Sequence, residues 1–152
     1  LSEMGSISRN KAIAYLLESK GIIASGGVQE SLDLYVRMCS LNVTAESLAN
    51  FGLVLALGGI HPETGERLLD EDVVRVVKTI MLTCGMYDGS GEFAVHVGVP
   101  SKSGVGGGIL SVADKKMGIG IFGPALDSKG NSIAGRYILR SLSKELHLHM
   151  FA

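Results

Sequence analysis

The sequence predicts an α+β fold with three parts: helices over about residues 9–86, antiparallel strands over about 103–123 and a closing helix over about 131–147. In the first half, apolar residues recur every three to four positions, as on amphipathic helices. Met117 to Phe122 instead alternates with a period of two and follows the short turn Asp114-Lys-Lys, which is typical of an antiparallel hairpin. With 152 residues, the chain is long enough to form one domain with a buried core.

The first two helices are predicted from Asn10 to Lys20 and from Val28 to Cys39. Gly21 follows the first helix at a position where glycine commonly ends one. The residues that the spacing turns toward the core are Ile13, Leu16 and Leu17 in the first helix and Leu32, Tyr35 and Cys39 in the second.

The next two helices are predicted after Thr44 and after Asp70, because both side chains are good N-caps. The third helix runs to about Leu57 and is apolar nearly all round, which predicts a central, buried position. The fourth helix runs to about Leu82. Its expected core residues are Val73, Val74, Val77, Ile80 and Met81.

A glycine-rich stretch from Ser101 to Leu110 organises the second half of the chain. Dense glycine allows the backbone to approach a ligand closely, with amides free to act as oxyanion donors. We expect one strand over about 103–113, paired with the strand over 117–122. A glycine-rich hairpin with a surface lysine explains the same residues. Two strands do not make a stable sheet alone, so the pattern also predicts neighbouring strands outside this sequence.

The closing helix is predicted from Asn131 to Leu146. Its expected core residues are Ile133, Tyr137, Leu142 and Leu146.

Composition excludes some functions and favours others. The net charge of −1 gives no footprint for nucleic acid or a membrane surface. The four histidines show no metal-ligand spacing, and no cofactor motif is present, so we expect neither a metal nor a cofactor. Cys39 and Cys84 suit buried thiols in a reducing compartment, which favours the cytoplasm. The 46% apolar content predicts either a large interface or a chain that is part of something bigger.

Five residues attract attention by type and setting. Lys102 lies in the glycine-rich stretch, and Tyr87 stands among glycines, where a phenol can shuttle protons if cations lower its pKa. Glu3 and Asn10 can recognise an amino acid by charge and hydrogen bond. Simpler interpretations exist: Tyr87 as a turn tyrosine, Glu3 as an exposed acid and Asn10 as an N-cap. For Tyr35, on an apolar helix face, the residues alone favour a core position.

Several motifs together resemble the glutaminase family of the serine β-lactamase and penicillin-binding protein superfamily. Lys102-Ser-Gly resembles the third motif of that superfamily. The glutaminase resemblance is carried by Thr83-Cys-Gly-Met-Tyr-Asp-Gly-Ser-Gly-Glu-Phe-Ala, Val97-Gly-Val-Pro-Ser-Lys-Ser-Gly-Val-Gly-Gly-Gly-Ile and Leu126-Asp-Ser-Lys-Gly-Asn-Ser. Upstream, Ser2-Glu3, Arg9-Asn10, Leu32-Asp-Leu-Tyr35, Cys39-Ser40 and Pro62-Glu-Thr-Gly65 resemble it in the same order.

The resemblance implies a β-lactamase-like fold and hydrolysis of L-glutamine to L-glutamate and ammonia through a serine acyl-enzyme. Glu3 resembles the acid that holds the substrate's α-amino group, and Asn10 the asparagine beside it. Tyr35 matches a substrate-contacting tyrosine, in place of a core position. Tyr87 resembles the general base and acid, while Val105 matches a backbone oxyanion donor and Lys102 the motif lysine that shapes the local field.

The resemblance covers the C-terminal part of the family's catalytic domain, so we expect residues 1–152 to be that portion of a single domain. The family's nucleophile lies in a Ser-x-x-Lys motif upstream of the matched region. Ser8-Arg-Asn-Lys11 has this spacing, but it falls within the segment that matches the glutamine-binding residues. We therefore expect the nucleophile to lie outside this chain and the isolated chain to be inactive. The resemblance also implies a homo-oligomer, a dimer or tetramer.

Two other hypotheses remain open from the sequence. One is a non-catalytic fragment that binds an amino acid or a partner chain. The other is a β-lactamase-like hydrolase of another amide, although Cys84-Gly-Met-Tyr-Asp argues against it.

Overall fold

A computed structural model describes residues 7–152. The chain forms two compact units, Leu1–Asn42 and Val43–Ala152. Among the described residues, every helix is too short or too polar to cross a membrane.

The first unit contains two helices, α1 (Ser8–Ser19) and α2 (Val28–Cys39). Gly21 follows α1 with a φ of +71°, a left-handed conformation that glycine adopts without strain. The core of this unit is small. Its buried residues are Ile7, Ala14, Val28 and Leu32, with Ile23 and Val36 packed against them.

The second unit begins with two capped helices, α3 (Ala45–Ala56) and α4 (Glu71–Cys84). The Thr44 hydroxyl accepts a hydrogen bond from the Ser47 amide, and the Asp70 carboxylate accepts one from the Asp72 amide. Both N-caps predicted from the sequence are therefore confirmed. A 3₁₀ turn (Tyr87–Gly89) and a short helix, α5 (Ser90–His96), lead into the sheet.

The sheet has three antiparallel strands in the order β1 (Ser101–Ser103), β2 (Gly108–Ala113) and β3 (Met117–Phe122). The predicted single strand over 103–113 is wrong, because the chain reverses between Gly104 and Gly107 and pairs with itself. The Gly107 amide donates to the Gly104 carbonyl at 2.9 Å to close this turn. The strand predicted over 117–122 is confirmed.

Helices cover both faces of the sheet. On one face, α5 and the closing helix α6 (Ile133–Glu145) pack on Ile109, Ala113 and Ile121 through Phe93 and Leu139. On the other face, α3 and α4 pack on Leu110 and Val112.

Two glycines of β3 let α3 lie directly on the strand. A Cβ at Gly118 or Gly120 would collide with a backbone carbonyl of α3, that of Ala49 or Ala45.

The predicted inward faces of the helices are partly wrong. Buried helix positions include Ala14 in α1, Val28 and Leu32 in α2, Val74 and Met81 in α4, and Gly135, Leu139 and Ser143 in α6. Expected core residues that are instead exposed are Ile13, Leu16, Tyr35, Cys39, Val73, Ile80, Ile133, Tyr137 and Leu146. Phe51 of α3 is also half exposed, so that helix is only partly buried. Both cysteines are exposed, which corrects the expectation of buried thiols.

Candidate functional site

Tyr87 has an unusual backbone conformation, with a φ of +50°. A bulky residue adopts this left-handed region at a cost of about 1–3 kcal/mol, and such outliers cluster at functional sites. The residue lies where α4 has ended and the 3₁₀ turn begins, and its side chain is 39% exposed. The phenol is thus presented at the surface of the second unit.

Lys102 brings a positive charge to this tyrosine. Its ammonium nitrogen lies 4.8 Å from the centre of the Tyr87 ring, within the range of a cation–π interaction. Lys102 is the middle residue of β1, and Ser101 and Ser103 on either side of it are buried. The ammonium also donates to the Ser103 carbonyl. Strand alternation therefore puts the lysine side chain on the opposite face of β1 from these two serines, beside the phenol.

Val105 follows in the turn between β1 and β2. No backbone carbonyl of residues 7–152 accepts a hydrogen bond from its amide. Gly130 links this turn to the tyrosine. A Cβ built on Gly130 would lie 3.6 Å from both the Tyr87 ring and the Val105 side chain. The structure thus brings Tyr87, Lys102 and Val105 together in one region, and their roles stay a prediction.

The segment 127–131 lies next to Tyr87 and Val105 and forms one side of this region. Asp127 accepts hydrogen bonds from the amides of Lys129 and Asn131, both at 2.9 Å, and from the Arg136 guanidinium at 2.8 Å. Burial acts to raise the pKa of Asp127. The Asn131 amide, Arg136 and the Lys129 amide outweigh it and hold that pKa below its ordinary value of 3.8. The segment is therefore shaped by an ionised carboxylate.

Glu92 extends this network from α5. Its carboxylate pairs with Lys129 at 3.3 Å and with Arg136 at 3.1 Å. The hydrogen bond from Lys129, followed by the charges of Arg136 and Lys129, lowers the pKa of Glu92 from its ordinary value of 4.5. Sequence reasoning gave this network no role, although Leu126-Asp-Ser-Lys-Gly-Asn-Ser was among the motifs of the resemblance.

The predicted substrate-binding residues Asn10 and Tyr35 belong to the first unit. They line one surface cavity of about 370 Å³ together with apolar side chains that include Leu17 and Leu32. Asn10 is the third residue of α1, so its interpretation as an N-cap is wrong. Tyr35 is 46% exposed, which agrees with a contact residue better than with a core position. Glu3 lies outside the described residues.

The Ser-x-x-Lys spacing occurs twice in the chain. Ser8 and Lys11 are both exposed on α1. The second occurrence, Ser141-Leu-Ser-Lys144, was missed in reading the sequence and lies in the last turns of α6. At 1.5 Å per residue, Ser141 is about 12 Å along the axis from the start of that helix. The segment 127–131 and Tyr87 lie near that start, so this serine does not meet the tyrosine.

The chain is similar to known proteins over almost its whole length. Residues 1–151 match the family model for glutaminase. Glutaminase 2 of Clostridium perfringens is 54% identical over 151 residues, which cover 99% of this chain and 49% of that protein. A glutaminase of Clostridium botulinum (strain Hall) is 54% identical over 150 residues, with the same coverage. The chain therefore spans about half the length of the curated relatives it matches.

Solved glutaminase structures share the fold. The Bacillus subtilis glutaminase YbgJ, in covalent complex with 5-oxo-L-norleucine, superposes with a TM-score of 0.92 at 41% identity, over 98% of this chain and 52% of that one. The native form of Mglu gives a TM-score of 0.92 at 43% identity, over 99% of this chain and 36% of that one. The predicted fold class is thereby confirmed. The match over residues 1–151, with relatives at 54% identity, shows that the chain belongs to the glutaminase family.

Proposed function

We propose that the protein containing this chain hydrolyses L-glutamine to L-glutamate and ammonia through a serine acyl-enzyme. The observation that carries the proposal is the setting of Tyr87. Its backbone is left-handed, Lys102 stands 4.8 Å from its ring, and Val105 lies across Gly130 from it. In a member of the glutaminase family, this arrangement supplies a proton shuttle beside a backbone oxyanion donor.

The proposed reaction has two halves. In the first, a serine hydroxyl attacks the carboxamide carbon of glutamine while Tyr87 takes the serine's proton. The Val105 amide donates to the oxyanion that forms. The intermediate then collapses, the C–N bond breaks, and Tyr87 returns the proton to the departing nitrogen, which leaves as ammonia.

In the second half, water attacks the acyl-enzyme and Tyr87 accepts a proton from that water. Collapse of the second intermediate breaks the bond to the serine oxygen, which takes the proton back from Tyr87. The products are glutamate and the free serine. Tyr87 accepts these protons as the phenolate, and Lys102 contributes positive charge that favours this form.

Glu3, Asn10 and Tyr35 bind the substrate in this proposal. Glu3 pairs with the α-amino group, and Asn10 and Tyr35 donate and accept hydrogen bonds at the amino acid end. The cavity that Asn10 and Tyr35 share supports a joint role for these two. The covalent complex of YbgJ with 5-oxo-L-norleucine supports a nucleophilic mechanism, since that adduct is an amino acid with a carbonyl where glutamine has its amide.

The chain is proposed to be the C-terminal portion of one catalytic domain, with the nucleophile in a Ser-x-x-Lys motif on a segment beyond residues 1–152. The protein is proposed to act in the cytoplasm as a homo-oligomer, without a cofactor. Support for the domain assignment comes from the relatives, of which this chain matches about half.

The first test is ammonia release from L-glutamine by the full-length protein, with Tyr87→Phe as the variant. We expect kcat to fall by about 10²–10⁴-fold, because the phenol transfers protons in both halves of the reaction. Tyr137→Phe is the matched control, since Tyr137 is 70% exposed on α6, and its kcat should be unchanged. Full activity of Tyr87→Phe would contradict the assigned role, and turnover of a β-lactam without turnover of glutamine would favour the other amide hydrolase.

A further inference from the structure

The backbone around Tyr87 is held by hydrogen bonds from three separate parts of the chain. The Ser103 amide donates to the Gly85 carbonyl at 2.9 Å. The Asn131 side-chain amide donates to the Met86 carbonyl at 3.1 Å. Three successive carbonyls, those of Gly85, Met86 and Tyr87, are thus engaged, since the third accepts from Ser90.

Ser90 holds this backbone at two points. Its hydroxyl oxygen accepts from the Met86 amide at 3.0 Å, and its hydrogen goes to the Tyr87 carbonyl at 2.7 Å. The side chain is 4% exposed, so water does not compete for these bonds. The two bonds flank Tyr87's own φ and ψ, which are the angles that set the direction in which its side chain leaves the backbone.

Asn131 reaches the same backbone from a position 45 residues away in sequence. It is 1% exposed, and its own backbone is fixed because Asp127 bonds to both its amide and its carbonyl group. Its neighbour Gly130 has a φ of +90°, and a Cβ built there would lie 3.6 Å from the Tyr87 ring. The segment 127–131 therefore lies beside the Tyr87 ring at Gly130 and bonds through Asn131 to the backbone just before the tyrosine.

We propose that Asn131 and Ser90 are positioning residues, which hold Tyr87 in its left-handed conformation and so aim the phenol at the reacting atoms. The inference rests on the proposed function, in which that phenol transfers protons. A tyrosine leaves this conformation when its surroundings stop enforcing it. Loss of either side chain then moves the phenol, and a displacement of about 1 Å is enough to cost about 10²-fold in rate.

The kinetic test is a double-mutant cycle in the full-length protein. We expect Asn131→Ala to lower kcat for glutamine by about 10²-fold with little change in KM. In a Tyr87→Phe background the same substitution should lower kcat no further, because the group that it positions is gone. Ser90→Ala should behave in the same way. An equal loss in both backgrounds would overturn the proposal.

Ser143→Ala is the matched control for a purely structural effect. Ser143 is 3% exposed and its hydroxyl donates to the Val97 carbonyl at 2.5 Å, so it resembles Ser90 in burial and bonding but belongs to the far end of α6. Its removal should lower thermal stability and leave kcat of the folded enzyme unchanged. A fall in kcat matching that of Ser90→Ala would show that any buried hydroxyl has this effect, and would overturn the proposal.

A second readout separates the positioning role from the proposed function. The ¹³Cα chemical shift of Tyr87, measured in tyrosine-labelled protein, reports its backbone angles without any turnover. Asn131→Ala and Ser90→Ala should move this shift away from its left-handed value, and Ser143→Ala should not. An unchanged shift in both variants refutes the positioning role even in an active enzyme. If the wild type does not hydrolyse glutamine, the proposed function fails, and the shift still decides whether these residues set the tyrosine's conformation.

Discussion

The ionised side chain of Asp127 stabilises the segment 127–131 beside the candidate site. Its carboxylate binds two amides of its own segment and one guanidinium, and its pKa is held below 3.8. A carboxylate whose pKa is lower in the folded state than in the unfolded state stabilises the fold at any pH where it is charged in both states. That contribution is complete above the unfolded pKa and is lost as the pH falls through the folded value.

We expect Asp127→Asn to lower the free energy of unfolding by about 1.5–3 kcal/mol at pH 7, the usual contribution of hydrogen bonds to charged groups. The difference from wild type should shrink as the pH falls below about 4, since the unfolded state then binds the extra proton. Urea unfolding at pH 7 and at pH 3 measures both values. Asp88→Asn, at an exposed position, is the control, and a difference that stays constant between the two pH values would contradict the ionic role.

At the scale of elements, the packing of α3 on β3 depends on glycine. A Cβ at Gly120 would lie on the Ala45 carbonyl oxygen, with the Ala49 amide at 2.7 Å. Both neighbours are backbone atoms of a helix, so neither can rotate away. The helix would have to move off the sheet to accept even a methyl group.

Gly120→Ala should therefore lower the free energy of unfolding by about 1–3 kcal/mol, the usual cost of overpacking. Gly91→Ala is the matched control, because a Cβ there meets nothing within 4 Å and the residue lies in α5. That substitution should be neutral or stabilising by about 0.5–1 kcal/mol. Chemical denaturation of both variants gives the comparison, and equal stabilities would show that α3 does not depend on this contact.

Elements were predictable where the signal is local. The helix caps Thr44 and Asp70 and the alternation over Met117–Phe122 involve neighbouring residues only. The strand predicted over 103–113 failed because the glycines from 104 to 108 carry no side chains whose period could reveal a reversal. The predicted buried faces of the helices were partly wrong, because periodicity identifies an apolar stripe. Whether that stripe is buried depends on what packs against it.

The candidate site shows the same limit. Tyr87 and Lys102 were predictable from their residue types and glycine-rich settings. Ser90 and Asn131 bond to backbone carbonyls, and Asn131 does so across 45 residues, so their residue types do not reveal these contacts.

At the scale of the whole molecule, two surfaces are unusual for a free-standing protein. Val73, Val76 and Ile80 form an apolar stripe on α4 and are 50%, 54% and 55% exposed. In the described part of the chain, β3 is also the last strand of its sheet, with no strand on its outer side. Natural proteins usually cover such stripes and edges. Since the chain spans about half of its relatives, we infer that the other half of the protein covers them.

Because the proposed nucleophile lies on another segment, the isolated chain should release no ammonia from glutamine. Mixing it with the separately produced remainder of the protein should restore activity. Ile80→Glu should prevent this restoration, because a charge in the stripe opposes burial. Arg75→Ala is the control on the same helix, since its guanidinium pairs only with the exposed Asp72 among the described residues. Glutamine hydrolysis by the isolated chain would contradict the assignment of the nucleophile to another segment.

The left-handed backbone at position 87 has a consequence for attempts to make this protein more robust. Glycine or asparagine would occupy the same φ of +50° at a lower cost than tyrosine. Selection for thermal tolerance alone would therefore favour replacing the one side chain to which we assign proton transfer. At this position thermal stability and catalytic turnover favour different residues. Stabilisation of the region therefore has to come from the residues that surround the tyrosine.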